Sequence, residues 1–204
     1  MFALSYKDPV TDNQMKELYF STDIETDGPL PAINSLLSFG VVAFTEDGEE
    51  LDFFEANLEL LPGAQPDAST MEWWKQFPDA WNAHRRNLQK PKDAFKAFDK
   101  WVKRLCGSTY KPVMVCMPSG FDFLFMYWYM KHFTGHSLFS HSCVDVRTYV
   151  MAMRQTGYKK TSKRFWPKRW FPKNMPHTHV AIDDAREQGL TFINMLKENN
   201  KRKK

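Results

Sequence analysis

Leu18-Tyr19-Phe20-Ser21-Thr22-Asp23-Ile24-Glu25 is the stretch on which the reading of this chain turns. It has strand character, and in a strand alternate residues share a face. Asp23 and Glu25 therefore project together, while Phe20, Thr22 and Ile24 turn the other way. Two carboxylates at that separation raise each other's pKa unless a cation neutralises them, so a hard divalent metal is the natural third component. The plainer alternative is a strand end running into the acidic turn Thr26-Asp27-Gly28.

The flanking sequence supplies a frame for that strand. Ser35 to Phe44, then Glu46-Asp47-Gly48, then Leu51 to Leu60, reads as a β-hairpin turned at the Asp-Gly pair, so the chain opens with a three-stranded meander. After Pro62 the pattern becomes helical. Asp67-Ala68-Ser69-Thr70 offers an N-cap before Met71-Glu72-Trp73-Trp74, and Pro78-Asp79 opens a short helix. Pro91 to Leu105 places Ala94, Phe95, Phe98, Trp101 and Val102 on one face. Pro112 to Met117 is the nearly all-apolar run of a buried strand, broken by Pro118-Ser119-Gly120 before an aromatic helix over about Phe121 to Phe133. Cys143 to Val146 reads as a further strand leading into a helix through Met153. Asp183 or Asp184 starts a closing helix through about Asn199, followed by a frayed basic tail at 201–204. A meander followed by alternating helices and strands is an α/β domain with a mixed β-sheet flanked by helices.

Composition bounds the rest. The 204 residues, 43% of them hydrophobic and 15% aromatic, fit a single domain spanning 1–204 with a packed core. No apolar run approaches the roughly 20 residues that span a bilayer, and Met1 to Asp8 lack the layout of a signal peptide. A soluble cytoplasmic protein with no membrane partner is expected. Cys106, Cys116 and Cys143, odd in number and without paired spacing, argue against a disulfide framework or a zinc site and read as reduced core thiols. The net charge is only +4, but Arg154 to Lys173 holds many cations and no acid, which points to a polyanionic partner.

Two further positions carry chemistry. Asp122 lies two residues after Gly120 at a strand-to-helix junction, where a helix cap or first-turn acid is the ordinary reading. In His179-Val180-Ala181-Ile182-Asp183-Asp184-Ala185 a loop histidine precedes an acid that begins a helix. Each is unremarkable alone, and their joint occurrence changes the weighing.

The ordered set Asp23-x-Glu25, Asp122, then His179 with four residues before Asp184 resembles the DEDDh superfamily of 3′-to-5′ exonucleases, which have a ribonuclease H-like fold. Local contexts are similar too: Phe20-Ser21-Thr22-Asp23-Ile24-Glu25-Thr26-Asp27-Gly28, Gly120-Phe121-Asp122-Phe123, and His179-x-Ala181-x-x-Asp184-Ala185. Thr70-Met71-Glu72-Trp73-Trp74 is similar to the branch containing ribonuclease AS and the phage exonuclease DexA. Successive helix positions lie about 100° apart, so one of those tryptophans belongs in the core and the other, Trp73 in our assignment, near the site.

The resemblance implies that Asp23, Glu25, Asp122 and Asp184 hold two Mg²⁺ (or Mn²⁺) ions, that His179 is the general base, and that nucleoside 5′-monophosphates leave from a single-stranded DNA or RNA 3′ end. It places Thr26 and Gly28 near the last nucleotide, makes Asp183 a helix cap, and carries the expectation of a homodimer. The family's gap selects His179 over His177, while His84, His132, His136 and His141 fall to surface or turn positions. The basic arm, about 154–178, interleaves cations with aromatic rings, which suits phosphate contacts by Lys163, Arg164, Lys168 and Arg169 and base stacking on the rings. A solvated loop anchored by its aromatics is the alternative. Nothing in the sequence separates trimming of single-stranded DNA from specificity for RNA ends, such as adenylate-rich tails. A non-catalytic nucleic-acid-binding module is the rival of another class, against which the intact acids and His179 stand.

Overall fold

The structure, a computed structural model, describes residues 15–175 and 177–201. The expectations placed on Met1 to Asp8 and on Arg202 to Lys204 lie outside them. Strands β1 (Lys16–Thr26), β2 (Leu36–Thr45) and β3 (Glu50–Asn57) form the antiparallel meander. The turn between β2 and β3 is made by Gly48, at φ 83°, whose N–H donates to the Thr45 carbonyl. β4 (Tyr110–Cys116) adds to the other edge of β1 in parallel, and β5 (Val144–Asp145) adds to β4, giving the order β3-β2-β1-β4-β5. The mixed sheet expected from the sequence is present.

Helices cover both faces. α1 (Ala68–Trp74) is capped by Asp67, which accepts from the Thr70 N–H, and α2 (Pro78–His84) follows. α3 (Pro91–Cys106) buries the predicted Ala94, Phe95, Phe98, Trp101 and Val102. Together with α4 (Ser119–Thr134) it packs on the face of β1 that carries Leu18, Phe20 and Ile24. The opposite face carries Tyr19, and there α5 (Val146–Arg154) and α6 (Ala181–Lys201) complete a second core with Val42, Phe44 and Val115. Asp23 and Glu25 share the parity of Tyr19, so strand alternation sends both toward α6. Cys106 and Cys116 are buried, Cys143 is partly so, and all three are free thiols, as the sequence predicts. Among the described residues no helix is long and apolar enough to cross a membrane.

The basic segment takes the form of a loop anchored by its aromatics, the alternative to a free arm. It winds through three short 3₁₀ turns at Tyr158–Lys160, Lys163–Phe165 and Lys168–Trp170. Trp166 and Trp170 are buried in the second core. Their indole N–H groups donate to the Thr161 carbonyl at 2.8 Å and to Glu198 at 2.7 Å. Rings spaced along the segment therefore fold it down as a wall against α6.

Helix α6 is set close to the sheet by two glycines. A Cβ at Gly40 would stand 2.4 Å from the Ile182 backbone, and one at Gly189 would stand 2.3 Å from the Phe44 ring and 2.8 Å from Ser21 Cβ. Between those contacts, buried Gln188 donates to the Thr22 and Val115 carbonyls and to Ser21 Oγ, tying α6 to β1 and β4. Helix propensity alone favours Ala over Gly by about 0.8–1.0 kcal/mol, whereas overpacking a tight core costs about 1–3 kcal/mol. Gly189→Ala should therefore destabilise the protein in urea unfolding; a variant more stable than the parent would mean that Phe44 gives way freely.

Candidate active site

β4 ends at Cys116 alongside the middle of β1, because the parallel pairing matches Ser21 with Val115. Just beyond, β1 supplies Asp23 and Glu25, and a bulge between Glu25 and Thr26 ends its regular pairing with β2. Asp122 enters in the first turn of α4 and Asp184 in the first turn of α6. Open α/β sheets characteristically bind ligands at such strand ends.

Carboxylate oxygens of Asp23, Glu25 and Asp184 lie within 4.8 Å of one another. Asp122 accepts the Met117 N–H at 3.1 Å, which fixes its carboxylate. Glu25, Asp122 and Asp184 are buried. Burial, then the charges of Asp122, Glu25 and Asp184, push the Asp23 carboxyl well above its ordinary range. Burial followed by Asp184 and Asp122 raises Glu25 to about 9, and burial raises Asp122 to about 8 against the opposing Met117 hydrogen bond. Asp184 is the exception. Burial pushes it up, but His177 and the N–H groups of Thr178 and His179 outweigh that and hold it below the usual carboxylate range. A crowded, all-oxygen set that resists ionising unaided fits hard divalent cations.

His179 stands at the rim of this cluster, its backbone at φ 56° and its N–H donated to Asp184 Oδ2 at 2.9 Å. Its ring rests between Phe77, at 4.3 Å, and Trp73, at 5.0 Å between centroids. Burial and the neighbouring His177 lower its pKa below that of a free imidazole. His177 also reaches the cluster, with Nδ1 3.0 Å from Asp184 Oδ2, so spacing alone separated two histidines that the fold brings to one carboxylate. Asp183 is not the expected cap: α6 begins at Ala181, and Asp183 lies inside its first turn, 3.4 Å from the Thr178 hydroxyl.

The tryptophan pair divides as predicted. Trp74 is buried and donates its indole N–H to the Thr26 carbonyl, while Trp73 remains 37% exposed. Glu25, Thr26, Gly28, Trp73 and Phe121 line a cavity of about 250 Å³ beside the acids. A side chain at Gly28 would collide with Asn34, which is held by Leu30 and Gln65.

The cations singled out in the basic segment fall into two groups. Lys163 pairs with buried Glu187, and Arg169 makes a two-pronged contact with Glu198. Arg164 lies over the Phe165 ring, and Lys168 is exposed without an ion-pair partner among the described residues.

One residue overturns its expected place. His84, assigned to a surface or turn position, ends a helix and is 1% exposed, with its ring between Ser38 Oγ at 2.9 Å and the His179 carbonyl at 2.7 Å. Ending a short helix far from His179 in sequence, it carried no local signal. Phe77 and Phe121 likewise join the site only through the fold.

Comparison with known proteins agrees with this geometry. The chain is 24% identical over 190 residues to the 3′-5′ DNA exonuclease Cap18 of Escherichia coli, covering 91% of this chain and 96% of that protein. Its fold resembles the nuclease domain of 3′hExo, a DEDDh family member solved bound to rAMP. The TM-score is 0.69 at 14% identity, with 96% of this chain and 95% of that one covered. It also resembles Pop2p of S. pombe, solved in a Mg²⁺- and Mn²⁺-bound form, with a TM-score of 0.54 at 14% identity, covering 86% of this chain and 81% of that one. A family model described as the 3′-5′ exoribonuclease Rv2179c-like domain matches residues 19–195. Because that match takes in the acids from Asp23 to Asp184 and nearly all of the sheet and helices that hold them, the chain belongs to the 3′-5′ exoribonuclease Rv2179c-like family, and its ribonuclease H-like fold is shared with the DEDDh nuclease domain it resembles.

Proposed function

We propose that this exonuclease removes nucleotides one at a time from the 3′ end of single-stranded DNA or RNA, releasing nucleoside 5′-monophosphates. Asp23, Glu25, Asp122 and Asp184 hold two divalent cations, Mg²⁺ or Mn²⁺, and His179 is the general base. The observation that carries this reading is the meeting of three mutually close carboxylates, with Asp122 beside them, at the carboxyl ends of two parallel strands. Bound there, the cations supply charge neutralisation and Lewis acidity toward the scissile phosphate.

The protein groups do the rest. His179, its pKa lowered, is neutral near pH 7 and takes a proton on an imidazole nitrogen from the attacking water. Asp184 holds the His179 backbone, and Trp73 and Phe77 support its ring. The cavity lined by Thr26, Gly28, Trp73 and Phe121 receives the terminal nucleoside, and stacking on Trp73 contributes about 1–3 kcal/mol. Lys168 and Arg164 contact phosphates farther along the strand, while Lys163 and Arg169 hold the wall in place through Glu187 and Glu198. The family description names an exoribonuclease and the Cap18 relative a DNA exonuclease, so the sugar preference is an outcome of the assay below.

Incubation with 3′-labelled and 5′-labelled single-stranded DNA and RNA, with Mn²⁺, Mg²⁺ or EDTA, should give shortening from the 3′ end only, and only with metal. Asp23→Ala should lower the rate on the order of 10³-fold or more with the fold retained. Near-parental cleavage by that variant would place the site elsewhere.

The acids also predict a pH signature. The folded pKa values of Asp23, Glu25 and Asp122 lie above their unfolded values, so the metal-free fold binds more protons than the unfolded chain. Their contribution is full below the unfolded carboxylate range and fades as pH rises through the folded values, about 8 and 9 for Asp122 and Glu25. In EDTA the melting temperature should fall between about pH 5 and pH 9, and added Mn²⁺ should raise it more at pH 8 than at pH 5. A metal effect independent of pH would contradict the assignment.

A further inference from the structure

Resting on the reading of His179 as the base, we infer that His84 is a positioning residue that fixes the His179 peptide through its Nε2–H. A carbonyl oxygen can only accept, so the 2.7 Å contact between His84 Nε2 and His179 O requires the proton on Nε2. In a neutral ring Nδ1 is then the unprotonated nitrogen, and the 2.9 Å contact with Ser38 Oγ is a hydroxyl donating to it. A neutral ring with one donor and one acceptor satisfies both neighbours at once. Burial lowers the His84 pKa, in keeping with a ring that stays neutral.

The anchor reaches into the frame of the active site itself. Ser38 lies on β2 directly opposite Glu25 of β1. The ring of Trp74, whose indole holds the Thr26 carbonyl, packs edge-on against His84 at 5.2 Å. His84 therefore joins the strand pair that presents Glu25 to the loop that presents His179.

That loop needs the support. His179 has a left-handed backbone at φ 56°, sparsely populated for a residue with a side chain and maintained only where surroundings impose it. Its peptide is gripped from both sides, the N–H by Asp184 and the C=O by His84. Releasing the carbonyl grip frees the ring to swing relative to the acids without removing any of them. His84 takes no proton from substrate: both nitrogens are engaged and the residue is 1% exposed. A merely structural histidine would support folding and leave turnover by the folded fraction intact, and the two roles are separable.

The test measures kcat and KM on a single-stranded oligonucleotide with Mn²⁺ for the parent, His84→Ala and His84→Gln, each also in a His179→Ala background. His84→Ala should lower kcat about 10- to 100-fold while KM stays within about threefold. His84→Gln, which keeps an N–H donor, should recover most of that loss. In the His179→Ala background, His84→Ala should change nothing further, since two residues acting through one step are non-additive. Equal losses in both backgrounds, or full kcat for His84→Ala, would overturn the positioning role. Should His84→Ala fail to fold, ¹⁵N NMR of the imidazole in the parent still decides: the Nε2–H form is expected, and the Nδ1–H form overturns the inference. A parent inert toward every oligonucleotide would instead sink the exonuclease reading, and the role of His84 with it.

Discussion

Mutual repulsion among buried carboxylates governs this molecule. Asp23, Glu25 and Asp184 converge within 4.8 Å, with Asp122 beside them, and the surroundings of Asp23, Glu25 and Asp122 disfavour ionisation. Left to themselves such groups stay protonated or push apart, so the surrounding structure must hold them together. The sheet does part of this. Two acids share one strand face, and the parallel neighbour β4 ends so that Asp122 follows alongside.

The rest falls to α6, which must bring Asp184 close to β1 without a clash. Gly40 and Gly189 allow the approach, and Gln188 secures it with hydrogen bonds to both central parallel strands. Asp184 in turn organises the His179 loop by accepting two backbone N–H groups, so the helix that completes the acid cluster also carries the proposed base. The basic segment, packed through Trp166 and Trp170, forms the neighbouring wall. Its ion pairs with Glu187 and Glu198 anchor the wall to the same helix.

Local rules made much of this legible. Strand alternation put Asp23 and Glu25 on one face, the Asp-Gly turn gave the hairpin, and the 100° step between helical residues separated Trp73 from Trp74. What escaped were contacts between residues far apart in sequence. His84 looked like a surface or turn residue because its partners, Ser38 and the His179 carbonyl, lie 46 and 95 positions away. For the basic segment the sequence left a nucleic-acid-binding arm and a loop anchored by its aromatics both open, and its buried tryptophans decide its packing. His177 and His179 differ by two positions, and only the fold brings both to Asp184.

If the four acids hold divalent cations, anomalous scattering from crystals soaked in Mn²⁺ will show two peaks about 3.5–4 Å apart among Asp23, Glu25, Asp122 and Asp184. Peaks confined to the neighbouring group of His177, His179 and Asp184, or no peak beside Asp23, would contradict that assignment.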